Sequence, residues 1–169
     1  MEITPDSTWS YRGAKKILSE KGLEQEIPDV AEAFREFGGG NRRKSERQEV
    51  LKPLGWRQEV SIKFTAPQTD GSISRNAAFD AFKNGVAVEH ERKEQMRANW
   101  HLMKMDAGFR DPRGFSGDKE IEVGVLLTPS DGSPPKCGRT RNDVLSVLSN
   151  YFGFSVPLFV WEYPTEDHG

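Results

Sequence analysis

The chain has 169 residues and a formal net charge of −2, which fits one domain of ordinary size and sets it apart from strongly basic nucleic-acid binders. Hydrophobic residues make up 35% and charged residues 30%, with no run of 18 apolar residues, so a membrane-spanning helix is excluded. Cys137 is the single cysteine, which excludes an internal disulfide or a cysteine-rich zinc site, and a reducing cytoplasm is the expected home.

The N-terminus shows no basic segment followed by an apolar one, so no signal peptide is expected. Residues 12–20 and 29–37 read as short amphipathic helices, the second with Pro28 near its first turn and stopped by Gly38-Gly39-Gly40. A third helix is expected over 43–51, ending before Pro53. Residues 60–64 alternate as a strand, and the Pro/Thr/Asp/Gly/Ser stretch at 66–75 reads as a loop. Strands at 77–81 and 86–91 flank a turn at Asn84-Gly85.

A helix from about 94 to 105 follows. Met96, Trp100 and Met103 form one face, which reads as core, while Lys93, Arg97, His101 and Lys104 form a basic stripe on another. That stripe begins two residues after Glu91 and would overhang whatever Glu91 belongs to. Residues 110–119 read as a polar loop, 121–127 as a central strand and 129–138 as a loop. A helix at about 141–151 and a strand at 156–161 complete the chain before a tail expected to fray. Helices, then strands, then alternating strands and helices describe a central mixed sheet with helices on both sides, a three-layer α/β/α domain. It is a single domain over 1–169, with N-terminal helices at 1–53, an α/β core at 54–162 and a tail at 163–169.

The chemistry concentrates between Asp80 and Glu91. Successive strand residues face opposite sides of a sheet, so Glu89 and Glu91 point the same way, and the Asn84-Gly85 turn brings Asp80 towards them. Three carboxylates beside an apolar strand suit a hard divalent cation such as Mg²⁺, and phosphodiester hydrolysis is the usual work of such a centre. Glu59, at the start of the earlier strand, could supply a fourth oxygen. Left unneutralised, the acids would repel one another. The competing account leaves them on the surface, Glu91 paired with Arg92 or Lys93 and Glu59 with Arg57 or Lys63.

Other chemistries fit less well. His90-Glu91-Arg92-Lys93-Glu94 lacks the second histidine of a zinc-protease helix, and His90, facing away from the acids, reads as a packed histidine. Gly38-Gly39-Gly40-Asn41 lacks the lysine of a phosphate-binding loop. No Ser-His-Asp or Cys-His set is spaced persuasively. The aromatics that a two-carboxylate glycosidase would need read as core.

The run Gly55-Trp56-Arg57-Gln58-Glu59-Val60, then Phe79-Asp80, then Val86-Ala87-Val88-Glu89-His90-Glu91, resembles the BglII/BstYI family of type II restriction endonucleases. These are an offshoot of the PD-(D/E)XK nucleases. The resemblance runs over roughly residues 50–162. It implies a restriction-endonuclease-like fold and an endodeoxyribonuclease cutting duplex DNA at a short palindrome. It also implies that Asp80 and Glu89 are metal ligands, joined by the main-chain carbonyl of His90. Glu91, standing where the wider superfamily has lysine, would orient or deprotonate the attacking water, and Glu59 would be an outer acid.

Mg²⁺ is the expected cofactor, with Mn²⁺ able to substitute. A homodimer would match a two-fold site, its face built from the helix at 94–105 and the N-terminal helices. A methyltransferase acting on the same site would be a natural companion. The polar residues that relatives use for base reading are replaced here by Arg92, Lys93 and Glu94, so no target sequence follows. Lys93, Arg97, Lys104, Lys136, Arg139, Arg141 and Asn142 are the expected DNA contacts. Two alternatives remain beside this reading, a sequence-nonspecific or repair-type nuclease and a non-cleaving DNA-binding protein on the same fold.

Overall fold

In a computed structural model, described for residues 5, 7–38, 43–68, 71–91, 95–130 and 153–164, one six-stranded sheet carries the molecule. Side chains at 64–68, 71–76 and 95–98 lie outside that description. The strands are β1 (Ser7–Tyr11), β2 (Arg57–Gln68), β3 (Gly71–Lys83), β4 (Val86–His90), β5 (Val123–Pro129) and β6 (Leu158–Tyr163). Their order across the sheet is β1-β6-β5-β4-β3-β2. β4, β5 and β6 run parallel, while β1, β2 and β3 join antiparallel, so the sheet is mixed as expected.

The helices are α1 (Ala14–Glu20), α2 (Ile27–Phe37), α3 (Lys44–Leu51) and α4 (Gln95–Arg110). Two apolar layers show how they sit. Ala14, Leu18, Val30, Phe34 and Leu51 of α1–α3 pack with Val86, Val88, Val125 and Leu127 on one face of the sheet. Leu102 and Met105 of α4 pack with Ile62, Ala87, Leu126 and Val160 on the other. Burying alternate strand residues against helices on both faces makes the three-layer α/β/α domain. Gly108 lets α4 come close. A Cβ there would meet Ile121 Cδ1 at 2.5 Å and Ile62 Cδ1 at 2.8 Å.

The structure differs from the sequence reading in three places. Met103, read as core, is exposed on α4, and Leu102 and Met105 face the sheet instead. β1 replaces an unassigned N-terminus: Ser7–Tyr11 forms an edge strand antiparallel to β6. The expected loop at 66–75 belongs largely to a long β2–β3 hairpin, whose register runs from Arg57–Phe82 to Gln68–Gly71. Cross-strand pairing there overrides the local Pro and Gly signals. The helix expected at 141–151 and its preceding loop lie outside the described residues. Among those residues no helix is long and apolar enough to cross a membrane.

Candidate active site

The candidate site lies at the fork where β3 and β4 separate. The β3–β4 pairing runs from Lys83–Val86 to Ala81–Val88. It starts at a tight turn in which Asn84 and Gly85 have φ of 47° and 86°, both in the left-handed region that a two-residue hairpin requires. Beyond Ala81, a side chain takes over from the ladder: the His90 amide donates to Asp80 Oδ2 at 2.9 Å. On its other side β4 stays paired with β5, and the Glu91 amide donates to the Leu127 carbonyl at 2.9 Å. Asp80 is thereby tied to the strand that carries Glu89 and Glu91.

The alternation of β4 separates its side chains as the sequence indicates. Val86 and Val88 join the apolar layer under α1–α3, and the His90 ring contacts Phe34 and lies 2.6 Å from Tyr163 Oη. His90 is therefore a packed histidine, and only its main chain faces the fork. Glu89 and Glu91 point to the α4 side, where they are 1% and 4% exposed. Buried like-charged carboxylates repel unless cations neutralise them.

Helix α4 supplies those cations. Lys104 Nζ contacts Glu89 Oε1 and donates to the Ala78 carbonyl at 2.5 Å. His101 lies between the two glutamates, with Nδ1 2.6 Å from Glu89 Oε2 and Nε2 hydrogen-bonded to Glu91 Oε2 at 3.1 Å. The Nδ1 contact is an ion pair out of line for a hydrogen bond. Burial alone would lower the His101 pKa, but its interactions with the Glu89 and Glu91 carboxylates prevail and raise it to about 9. The ring is a cation at neutral pH. Asp80 moves up to about 6, chiefly through burial and then through the Glu89 charge, against the pull of the His90 amide, His101 and Lys104.

A third cation approaches from the opposite helix layer. Arg47 of α3 is fully buried, with Nε donating to Gln58 Oε1 at 2.6 Å and a further N–H to the Gly38 carbonyl. Burial lowers its pKa while Asp80, Glu59 and Glu46 oppose that shift. Glu59 lies between Gln58, which pairs with Ala81, and Val60, which pairs with Phe79, so it stands across from Asp80. Its φ of 54° is unusual for a glutamate inside a strand, and its Oε1 is buried without a hydrogen-bond partner among the described residues. Backbone strain of this kind costs on the order of 1–3 kcal/mol and gathers at functional sites.

The structure thus brings together Asp80, Glu89, Glu91 and Glu59 around one fork, and adds His101 and Arg47. The basic stripe gave His101 only as a neighbour, and Arg47 lies too far away in sequence to be read. Lys104, expected at DNA, is buried against Glu89 instead, with a side chain 5% exposed. Arg97 lies in α4 with its side chain outside the description, and Lys93, Lys136, Arg139, Arg141 and Asn142 lie outside the described residues. Glu91 is buried and pairs with His101, so it is not the surface acid of the competing account, and Arg57 pairs with Asp118; Arg92 and Lys93 lie outside the described residues.

The donors around the fork are carboxylate and carbonyl oxygens, the chemistry a hard cation takes, and Glu89 Oε1 and Glu59 Oε1 are buried without hydrogen bonds. They fit Mg²⁺ by kind. As folded they do not form a ready cage, because among the described residues no three His, Cys, Asp or Glu groups converge on one point. Positions beside Glu89 are held by Lys104 and His101.

No protein-family model matches the chain, and no curated protein matches it in sequence. Among solved structures it is similar to the restriction endonuclease BglII complexed with a DNA 16-mer, at a TM-score of 0.64 and 13% identity, covering 100% of this chain and 79% of that one. At so low an identity the likeness speaks for architecture: the chain has the restriction-endonuclease-like fold.

Proposed function

We propose that this protein is a DNA nuclease, specifically a Mg²⁺-dependent type II restriction endonuclease that cleaves duplex DNA at a short palindrome as a homodimer. The observation that carries the reading is the gathering of Asp80, Glu89 and Glu91 at the β3–β4 fork of a restriction-endonuclease-like sheet. Asp80, Glu89 and the main-chain carbonyl of His90 would hold the metal. Bound there, Mg²⁺ (or Mn²⁺) would acidify water and offset the charge of the phosphate.

The chain's own residues do the rest. Glu91, hydrogen-bonded to His101, has a fixed orientation from which to direct a water molecule. Glu59 adds negative charge across from Asp80. The His101 and Lys104 cations stand beside the acids, where an approaching phosphodiester would meet them. A methyltransferase protecting the same site belongs with this reading.

The test is incubation of the purified protein with phage DNA, in Mg²⁺ and in EDTA, followed by sequencing of the ends. Discrete Mg²⁺-dependent fragments, lost in Asp80→Ala and Glu89→Ala, are expected. A smear would indicate a nonspecific nuclease. One observation favours a second reading, a DNA-binding protein without cleavage: Glu89 and Glu91 are nearly sealed and each faces an internal cation. A shifted band on DNA that stays uncut in Mg²⁺ and in Mn²⁺ would support it.

A further inference from the structure

We propose that His101 is the internal counter-cation of this site, holding Glu89 and Glu91 together until a divalent cation takes its place. The inference deepens the nuclease reading and rests on it. Glu89 near the end of β4 and Glu91 just past it lie two residues apart and turn to the same side, both nearly sealed from water. A single imidazole spans them, with one ring nitrogen at each carboxylate. A neutral ring would turn a lone pair towards one of those oxygens, so only the doubly protonated ring suits both contacts.

Glu89 then carries a cation at each oxygen. One oxygen faces His101 and the other faces Lys104. A hard cation reaching Glu89 competes with these two for its lone pairs. Lys104 is the better anchored, since it also donates to the Ala78 carbonyl and lies over the Phe79 ring, 5.2 Å from its centroid. Its side chain is 5% exposed against 12% for His101. His101 is the side chain that can leave. Once displaced, the ring remains tethered to α4 beside the carboxylates, where an anionic phosphate can take it up.

This arrangement sets a direction that a purely structural histidine would not. Removing the imidazolium leaves two neighbouring carboxylates with less compensating charge and opens one face of Glu89. Divalent cations should then bind more tightly, not less.

The experiment titrates Mn²⁺ into DNA-free wild type, His101→Gln and Glu89→Gln, with free Mn²⁺ followed by electron paramagnetic resonance and folding checked by circular dichroism. In parallel, the His101 ring signals of the wild type are followed by NMR as Mg²⁺ is added. His101→Gln should bind Mn²⁺ about tenfold more tightly than wild type, the gain expected from losing one nearby like charge in a partly buried site. Glu89→Gln should lose binding, and the wild-type ring signals should move with Mg²⁺. Equal or weaker binding by His101→Gln, or ring signals that do not move while Mg²⁺ binds, would overturn the proposal and leave the nuclease reading standing. Absence of Mn²⁺ binding in both wild type and His101→Gln would instead overturn the metal-dependent reading, and this proposal with it.

Discussion

Replacing Lys104 by methionine tests whether the site is held by charge. Methionine keeps the aliphatic stem against Phe79 and removes only the ammonium group. Glu89, 1% exposed, then keeps His101 at Oε2 but loses the cation at Oε1, and the Ala78 carbonyl loses its donor. Breaking a buried ion pair by deleting one partner costs about 3–5 kcal/mol, because the remaining charge stays buried. The surviving His101 contact puts the expectation at the lower end, about 3 kcal/mol. For a chain of this size that corresponds to a fall in Tm of roughly 6–12 °C. Urea unfolding followed by tryptophan fluorescence in EDTA measures it. The double variant Glu89→Gln/Lys104→Met should be less destabilised than the sum of the two single variants, since the removed charges no longer strand each other. A loss under about 1 kcal/mol for Lys104→Met, or strict additivity in the double variant, would refute the argument that Glu89 depends on this ammonium.

Glu91→Gln keeps the shape of the water-orienting side chain and should cut DNA slowly but detectably on a gel, whereas Asp80→Ala should show no cleavage at all. Stability should also depend on pH through His101, which faces Glu89, Glu91 and, in the same cluster, Lys104. Its pKa is raised from 6.5 to about 9, so its contribution is complete below about pH 6.5 and lost as pH rises through 9. That shift corresponds to about 3 kcal/mol at most, and His101→Gln should flatten the decline in urea midpoint over this window. Asp80, raised from 3.8 to about 6, adds a decline of the same sign at lower pH, measurable as the part of the slope removed in Asp80→Asn. Gly108→Ala should cost about 1–3 kcal/mol by forcing α4 away from Ile121 and Ile62. The measurement is a urea midpoint, and a Gly108→Ala protein as stable as wild type would show that α4 has room to shift.

What the sequence determined by itself was the set of features fixed by local periodicity. The alternation Val86, Val88, His90 against Ala87, Glu89, Glu91 places the acids on one face whatever the rest of the chain does, because a strand has a period of two. The same reasoning located α2 with its Gly38 stop, and the basic stripe that brings His101 and Lys104 over the acids. β1 has no local sequence signal, because an edge strand of five residues draws its stability from β6, about 150 residues away. The β2–β3 hairpin ran through residues whose local signals favour a loop, since hydrogen bonds to a partner strand outweigh weak propensities. Only the tertiary structure decided that Lys104 turns inward rather than towards DNA, that one imidazole spans two glutamates, and that Arg47 of α3 is buried against Gln58, next in sequence to Glu59. A charged side chain's destination depends on which opposite charge is buried within its reach, and that is a property of the packed layers and not of the residues beside it in sequence.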